Sequence, residues 1–110
     1  MSKLKYANGN KILKEWEKDE MIQEAAEYYG RYMTALGFDW KNDPNSSDTP
    51  ERVARAFVND LAQGVYSKPP KITAFDNVDG YDGMVFQGNI TMNSFCSHHH
   101  LPFIGYAHVA

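Results

Sequence analysis

Cys96-Ser97-His98-His99-His100-Leu101-Pro102-Phe103-Ile104-Gly105-Tyr106-Ala107-His108-Val109-Ala110 reads as a turn followed by a strand. From Phe103 onward the residues alternate. Phe103, Gly105, Ala107 and Val109 fall on one face, and Ile104, Tyr106 and His108 on the other. Just upstream, Met84 to Phe95 is rich in β-forming residues, with Val85, Ile90 and Met92 as its expected buried positions. Gly88 marks a bulge or bend inside that run. Cys96–Pro102 is then the connection of an antiparallel hairpin. The same connection holds the only cysteine of the chain and three of its four histidines.

Upstream of the hairpin the period changes to that of a helix. Ile22, Ala25, Ala26, Tyr29, Met33 and Leu36 recur at three- and four-residue spacing, which predicts a helix from Lys11 to Leu36. Asp19-Glu20 could interrupt it, and Gly37 stands where a C-terminal cap belongs. Lys41–Ser47 is loop by composition. A second helix starts at Asp48-Thr49-Pro50-Glu51. Either Thr49 caps it with Pro50 in the first position, or Asp48 caps it with Glu51 closing a capping box. Val53, Ala54, Phe57, Val58 and Leu61 form its apolar stripe, Gly64 is expected to end it, and Ser67-Lys68-Pro69-Pro70 is an extended connector. Among the aromatic residues, Trp16, Tyr29 and Phe38 are expected in the core. Residues 1–10 are polar and expected to be flexible.

One hundred and ten residues make one small domain at most, and 43% hydrophobic residues suffice for a core. A net charge of −3 argues against a nucleic-acid or anionic-membrane surface, because those need a basic face. No apolar run is long enough to span a membrane, and Met1–Tyr6 lacks the apolar stretch of a signal peptide. A single cysteine cannot form an internal disulfide, which fits a reducing cytoplasm.

Two constellations carry chemistry. Thiolate and neutral imidazole both suit zinc, and in a turn Cys96 and His99 can converge while His98 points elsewhere, free to act as a proton donor. The plainer alternative is a structural cysteine beside exposed histidines that bind metal only adventitiously. His100 has no role readable from spacing, and His108 reads as a satisfied strand residue. Arg52 and Arg55 lie one helical turn apart near the positive end of a helix dipole, a geometry suited to phosphate oxygens. Here the plainer alternative is a solvated face on which Glu51 and Asp60 are the partners.

Two segments together resemble one family. Asp48-Thr49-Pro50-Glu51-Arg52-Val53-Ala54-Arg55-Ala56-Phe57 is similar to the helix signature of GTP cyclohydrolase I, and Cys96–Ala110 resembles its zinc-site hairpin, with Pro70-Lys71-Ile72 between them. The resemblance runs over about residues 20–110. It implies an α+β tunnelling fold (T-fold), here as N-terminal helices followed by an antiparallel hairpin, in subunits assembled as a ring, typically a toroidal decamer, with active sites shared between subunits. It also implies a cytoplasmic enzyme that hydrolyses the imidazole ring of GTP to give formate and 7,8-dihydroneopterin triphosphate, on the way to tetrahydrofolate, other pterins or 7-deazaguanines. By motif position Cys96 and His99 match zinc ligands, His98 matches the catalytic histidine, and Arg52 and Arg55 match residues that reach the triphosphate in a neighbouring subunit's site.

Departures from the family pattern are Ser97, where a glutamate is common, and His100, where an apolar residue is usual. Both alter the surroundings that orient metal ligands. The family's third zinc ligand, a further catalytic histidine and the residues that read guanine match no position in 1–110. A strand that reaches Ala110 without a turn also leaves an unpaired edge, which native proteins cover or blunt. The expectation is therefore that residues 11–110 are the N-terminal portion of one domain, truncated on its C-terminal side and inactive alone. Two other classes remain open at this stage: a non-catalytic T-fold remnant kept for oligomerisation or nucleotide binding, and another T-fold enzyme of pterin or deazaguanine metabolism.

Overall fold

The computed structural model describes residues 11–110, so the expected flexible segment 1–10 lies outside the described residues. The chain divides into two compact units, the first ending at Lys68 and the second running from Pro69 to Ala110. The boundary falls in the Pro-Pro connector.

The first unit is helical. Helix α1 spans Glu15–Ala35 without a break at Asp19-Glu20. It starts four residues later than the periodicity suggests. Lys14 is its N-cap, the backbone N–H of Lys14 donates to Glu17 Oε2 at 2.8 Å, and Leu13 N–H is drawn to the Tyr66 carbonyl at 3.0 Å. Its C-terminus is a Schellman motif: Gly37 N–H bonds to the Thr34 carbonyl (3.0 Å) and Phe38 N–H to that of Met33 (3.1 Å). Gly37 sits at φ 89°, where only glycine is free of strain.

Between α1 and α2 the chain turns on Asp43, whose carboxylate accepts from Asn45 N–H (2.9 Å) and the Ser46 hydroxyl (2.8 Å). These bonds favour the ionised form and hold the Asp43 carboxyl below its ordinary value of 3.8. Helix α2 spans Thr49–Ala56, with Asp48 as its N-cap and Pro50 in the first turn. Neither of the expected side-chain caps forms. The Asp48 carboxylate turns instead towards Arg52 (3.5 Å), and Glu51 towards Arg55 (2.8 Å).

Gly64 does not end the helical path. A π-helical turn covers Phe57–Leu61, with Ala62 N–H bonded to the Phe57 carbonyl at 2.7 Å, and a short helix α3 follows at Gln63–Tyr66. Residues four apart on an α-helix drift by about 40° around the axis, since each advances about 100°. The wider π turn reverses that drift, which keeps Ala54, Val58 and Ala62 all buried.

The core of this unit is Ile22, Ala54 and Val58, with Met21, Ala26 and Tyr66 packed against it. Burial pushes the Tyr66 phenol up from its ordinary range. Trp16 and Phe38 stay exposed, at 57% and 59%, contrary to the expectation that they pack inside. Tyr29 is half-buried. Trp40 is the aromatic that anchors the fold: its Nε1 donates to the Gly30 carbonyl at 2.8 Å, and its ring lies where a Cβ on Gly30 would come within 2.6 Å.

The second unit carries an antiparallel hairpin of β1 (Gln87–Phe95) and β2 (Pro102–Val109). The register shifts between Gln87 and Ile90, so the bulge expected at Gly88 is present, with Asn89 at φ 54°. Paired residues share a face. Ile90, Met92 and Ser94 lie with Ala107, Gly105 and Phe103, and Thr91, Asn93 and Phe95 with Tyr106, Ile104 and Pro102. Val85, Ile90 and Met92 were expected to be buried but are exposed, at 75%, 37% and 47%. Val85 precedes β1, and within this unit a two-stranded sheet has no second layer to cover either face.

Two outcomes follow for stability. Gly30→Ala lowers the melting temperature. The helix-propensity gain of about 1 kcal/mol is outweighed by an overpacking cost of about 1–3 kcal/mol against Trp40, and thermal denaturation measures the sign. The carboxyl of Asp43 titrates lower in the folded chain than in the unfolded one, so its contribution is present above about pH 3.8 and disappears as pH falls through the folded value. The stability difference between wild type and Asp43→Ala, read from urea unfolding, therefore narrows in acid below that point.

Candidate metal and phosphate-binding residues

Everything in the Cys96–Leu101 connection hangs from two backbone hydrogen bonds. Cys96 N–H donates to the Leu101 carbonyl at 2.9 Å, and His100 N–H donates to the Cys96 carbonyl at 2.8 Å. The chain must reverse within Ser97–His100, and His100 does so at φ 57°. Histidine enters this left-handed region more readily than a branched apolar residue does. Its ring lies edge-on to Phe95, with centroids 5.3 Å apart. His100 thus has a structural place that spacing alone did not reveal.

Cys96 is a half-buried free thiol at the head of the turn. Its Sγ accepts the backbone N–H of His98 at 3.4 Å, and the Nδ1 of the same residue lies 3.6 Å away. His99 uses its own Nδ1 to accept Leu101 N–H at 3.2 Å. The ring that lies against the sulfur is therefore that of His98, the residue expected to point elsewhere. His108 is satisfied, as expected of a strand residue: Nδ1 accepts Asn89 N–H at 3.1 Å, and the ring stacks on Phe86. That contact stitches the β1 bulge to β2. The Gly88-Asn89 pair was its only signal in the sequence, both residues being tolerant of unusual backbone angles.

Thiolate and imidazole are a donor set that fits zinc. The described residues contain no group of three or more His, Cys, Asp or Glu side chains placed to hold a metal ion.

In the helical unit, Arg52 and Arg55 stand one turn apart on α2, each bonded to a carboxylate one turn earlier. Both pairs are exposed, and such pairs contribute about 0–1 kcal/mol. Asp48 takes the place that Asp60 was expected to fill. The two guanidinium groups can exchange these weak partners for phosphate oxygens.

The profile of the GTP cyclohydrolase I family matches residues 25–110, a span that contains both arginines and the whole Cys96–Leu101 turn. This chain belongs to the GTP cyclohydrolase I family. A GTP cyclohydrolase 1 from Flavobacterium johnsoniae is 42% identical over 95 residues, covering 86% of this chain and 41% of that protein. One from Aeromonas salmonicida is 38% identical over 79 residues, covering 71% of this chain and 36% of that protein. One from Shewanella baltica is 31% identical over 96 residues, covering 86% and 44%. The chain thus spans about two fifths of the length of the curated relatives it matches. The helices followed by an antiparallel hairpin agree with an α+β T-fold portion of this family.

The geometry of His100 makes a test of the turn. His100→Ile places a β-branched residue at φ 57° and lowers stability by about 1–2 kcal/mol, whereas His100→Gly removes the strain and costs less. Urea unfolding of the two variants checks the order.

Proposed function

We propose that this chain provides the metal-binding turn and a triphosphate-binding helix of a GTP cyclohydrolase I, which hydrolyses the guanine imidazole ring of GTP to formate and 7,8-dihydroneopterin triphosphate. The observation that carries the reading is that one family match encloses, in order, Arg52, Arg55, Cys96, His98 and His99. Cys96 and His99 would hold a zinc ion. Such an ion supplies an activated water at neutral pH. His98, beside the pair, delivers a proton to the purine ring as it opens, a role suited to an imidazole near neutrality. Arg52 and Arg55 hold the triphosphate, whose negative charge displaces Asp48 and Glu51 from the guanidinium groups.

The reading extends to assembly. A ring of subunits would bring Arg52 and Arg55 to a neighbour's site and would cover the apolar side chains of the hairpin, among them Ile104 at 84% exposure and Tyr106 at 71%. No helix of the described residues is long and apolar enough to cross a membrane, which is compatible with a cytoplasmic enzyme. The product would feed tetrahydrofolate, another pterin or a 7-deazaguanine.

The test grafts residues 1–110 in place of the matched stretch of the Flavobacterium johnsoniae relative. The chimera is expected to bind zinc and to release formate from GTP. Cys96→Ser and His99→Ala lose metal and turnover together. His98→Ala keeps the metal and loses turnover by about 10²-fold or more. Residues 1–110 alone show little or no turnover, because a catalytic zinc needs about three protein ligands. A folded, zinc-loaded chimera that leaves GTP intact would overturn the proposal.

A further inference from the structure

The two atoms that the zinc reading asks for are both engaged within the turn. His99 Nδ1 accepts Leu101 N–H, so the neutral ring carries its proton on Nε2 and offers an ion no free lone pair until that bond is given up. Cys96 Sγ is approached twice by one residue, through the backbone N–H of His98 and through its ring Nδ1.

These two approaches differ in what they allow. A backbone N–H bond to sulfur is compatible with coordination, since a thiolate bound to a metal keeps lone pairs to accept it. The ring contact is a competitor. It lies 3.6 Å from a half-buried sulfur and occupies one side of it. His98 is exposed on the turn, so its ring can rotate away while the backbone bonds of Cys96 and His100 stay in place.

Resting on the proposed assignment of Cys96 as a metal ligand, we infer that the His98 ring is a lock on that ligand. An ion that takes Cys96 Sγ must expel the ring, so metal uptake and the release of His98 towards substrate are a single event. A chain without the ring binds metal more tightly, although the ring itself is not a ligand. The gain expected from removing one competing hydrogen bond is about three- to tenfold in affinity.

The experiment titrates the chimera described above, first stripped with a chelator, with cobalt(II) alone and follows the thiolate-to-cobalt charge-transfer band. His98→Ala and His98→Leu remove the ring nitrogen, the second while keeping bulk, and neither removes the backbone N–H. Both variants are expected to bind about three- to tenfold more tightly than the unsubstituted chimera, with the band unchanged in position. Equal affinities, with the band present in all three chains, overturn the lock and leave Cys96 as a ligand. Affinity lower by tenfold or more in both variants also overturns it, because His98 would then be a ligand itself. An unsubstituted chimera whose cobalt affinity and thiolate band match those of a Cys96→Ser control removes the metal assignment of Cys96 and the lock with it.

Discussion

The hydrogen bond from Cys96 N–H to the Leu101 carbonyl is the constraint on which the chemistry of this chain depends. It makes the turn short, and a short turn decides what each side chain can reach. With His100 N–H tied to the Cys96 carbonyl as well, residues 97–99 have almost no freedom in backbone path. The sulfur is then presented at the entrance of the turn, close enough to the His98 amide to accept from it. A longer, looser connection would carry the same residues without fixing any of them. The placement of Cys96, His98 and His99 is a consequence of loop closure, and loop closure is secured by the register of β1 against β2 up to the Phe95–Pro102 pair.

Much of this was legible in the sequence, and the legible parts share one property: each depends on a few neighbouring residues. Gly37 predicted a helix end because the left-handed cap needs glycine. Gly88 predicted a bulge because a strand interior tolerates glycine poorly. The alternation after Phe103 predicted a strand and its two faces. What was not legible depends on choices that period and composition do not encode. The π turn at Phe57–Leu61 shifts hydrogen bonds by one residue without changing the apolar stripe. Asp48 and Glu51 had two uses open to them, capping the helix or pairing with an arginine, and their spacing allowed both. The start of α1 at Glu15 combines a local cap, Lys14 N–H to Glu17, with a tertiary contact, Leu13 N–H to the Tyr66 carbonyl, that no local rule supplies.

The site shows the same division. The sequence singled out Cys96, His98 and His99 as a group, but spacing cannot say which imidazole faces the sulfur. In a turn that choice belongs to side-chain rotation and to competing hydrogen-bond partners, here Cys96 Sγ for the His98 ring and the donating Leu101 N–H for the His99 ring. The expected buried positions of the hairpin failed for a different reason. Alternation tells which residues share a face, and it did so correctly for β2. It does not tell whether anything lies over that face. Exposure of 47% at Met92 and 84% at Ile104 describes a sheet whose hydrophobic pattern exceeds what its own unit can cover.

That excess and the paired arginines lead to one physical point. Arg52 and Arg55 carry their own carboxylates on the same helix, so a single subunit presents a nearly neutral surface to an incoming anion. Exposed pairs of this strength are easily exchanged for a bidentate phosphate, which carries more charge and a better geometric match to the guanidinium fork. The exchange is worth most where water is excluded, since the attraction between the same charges rises as the effective dielectric falls. An exposed helix cannot provide such a place by itself. Covering the open faces of the hairpin with further polypeptide would bury apolar side chains and would create shielded surroundings in which arginines on a neighbour could act. On the proposed reading, the hydrophobic surplus of the hairpin and the modest strength of the ion pairs would be two sides of one arrangement, in which anion binding depends on assembly.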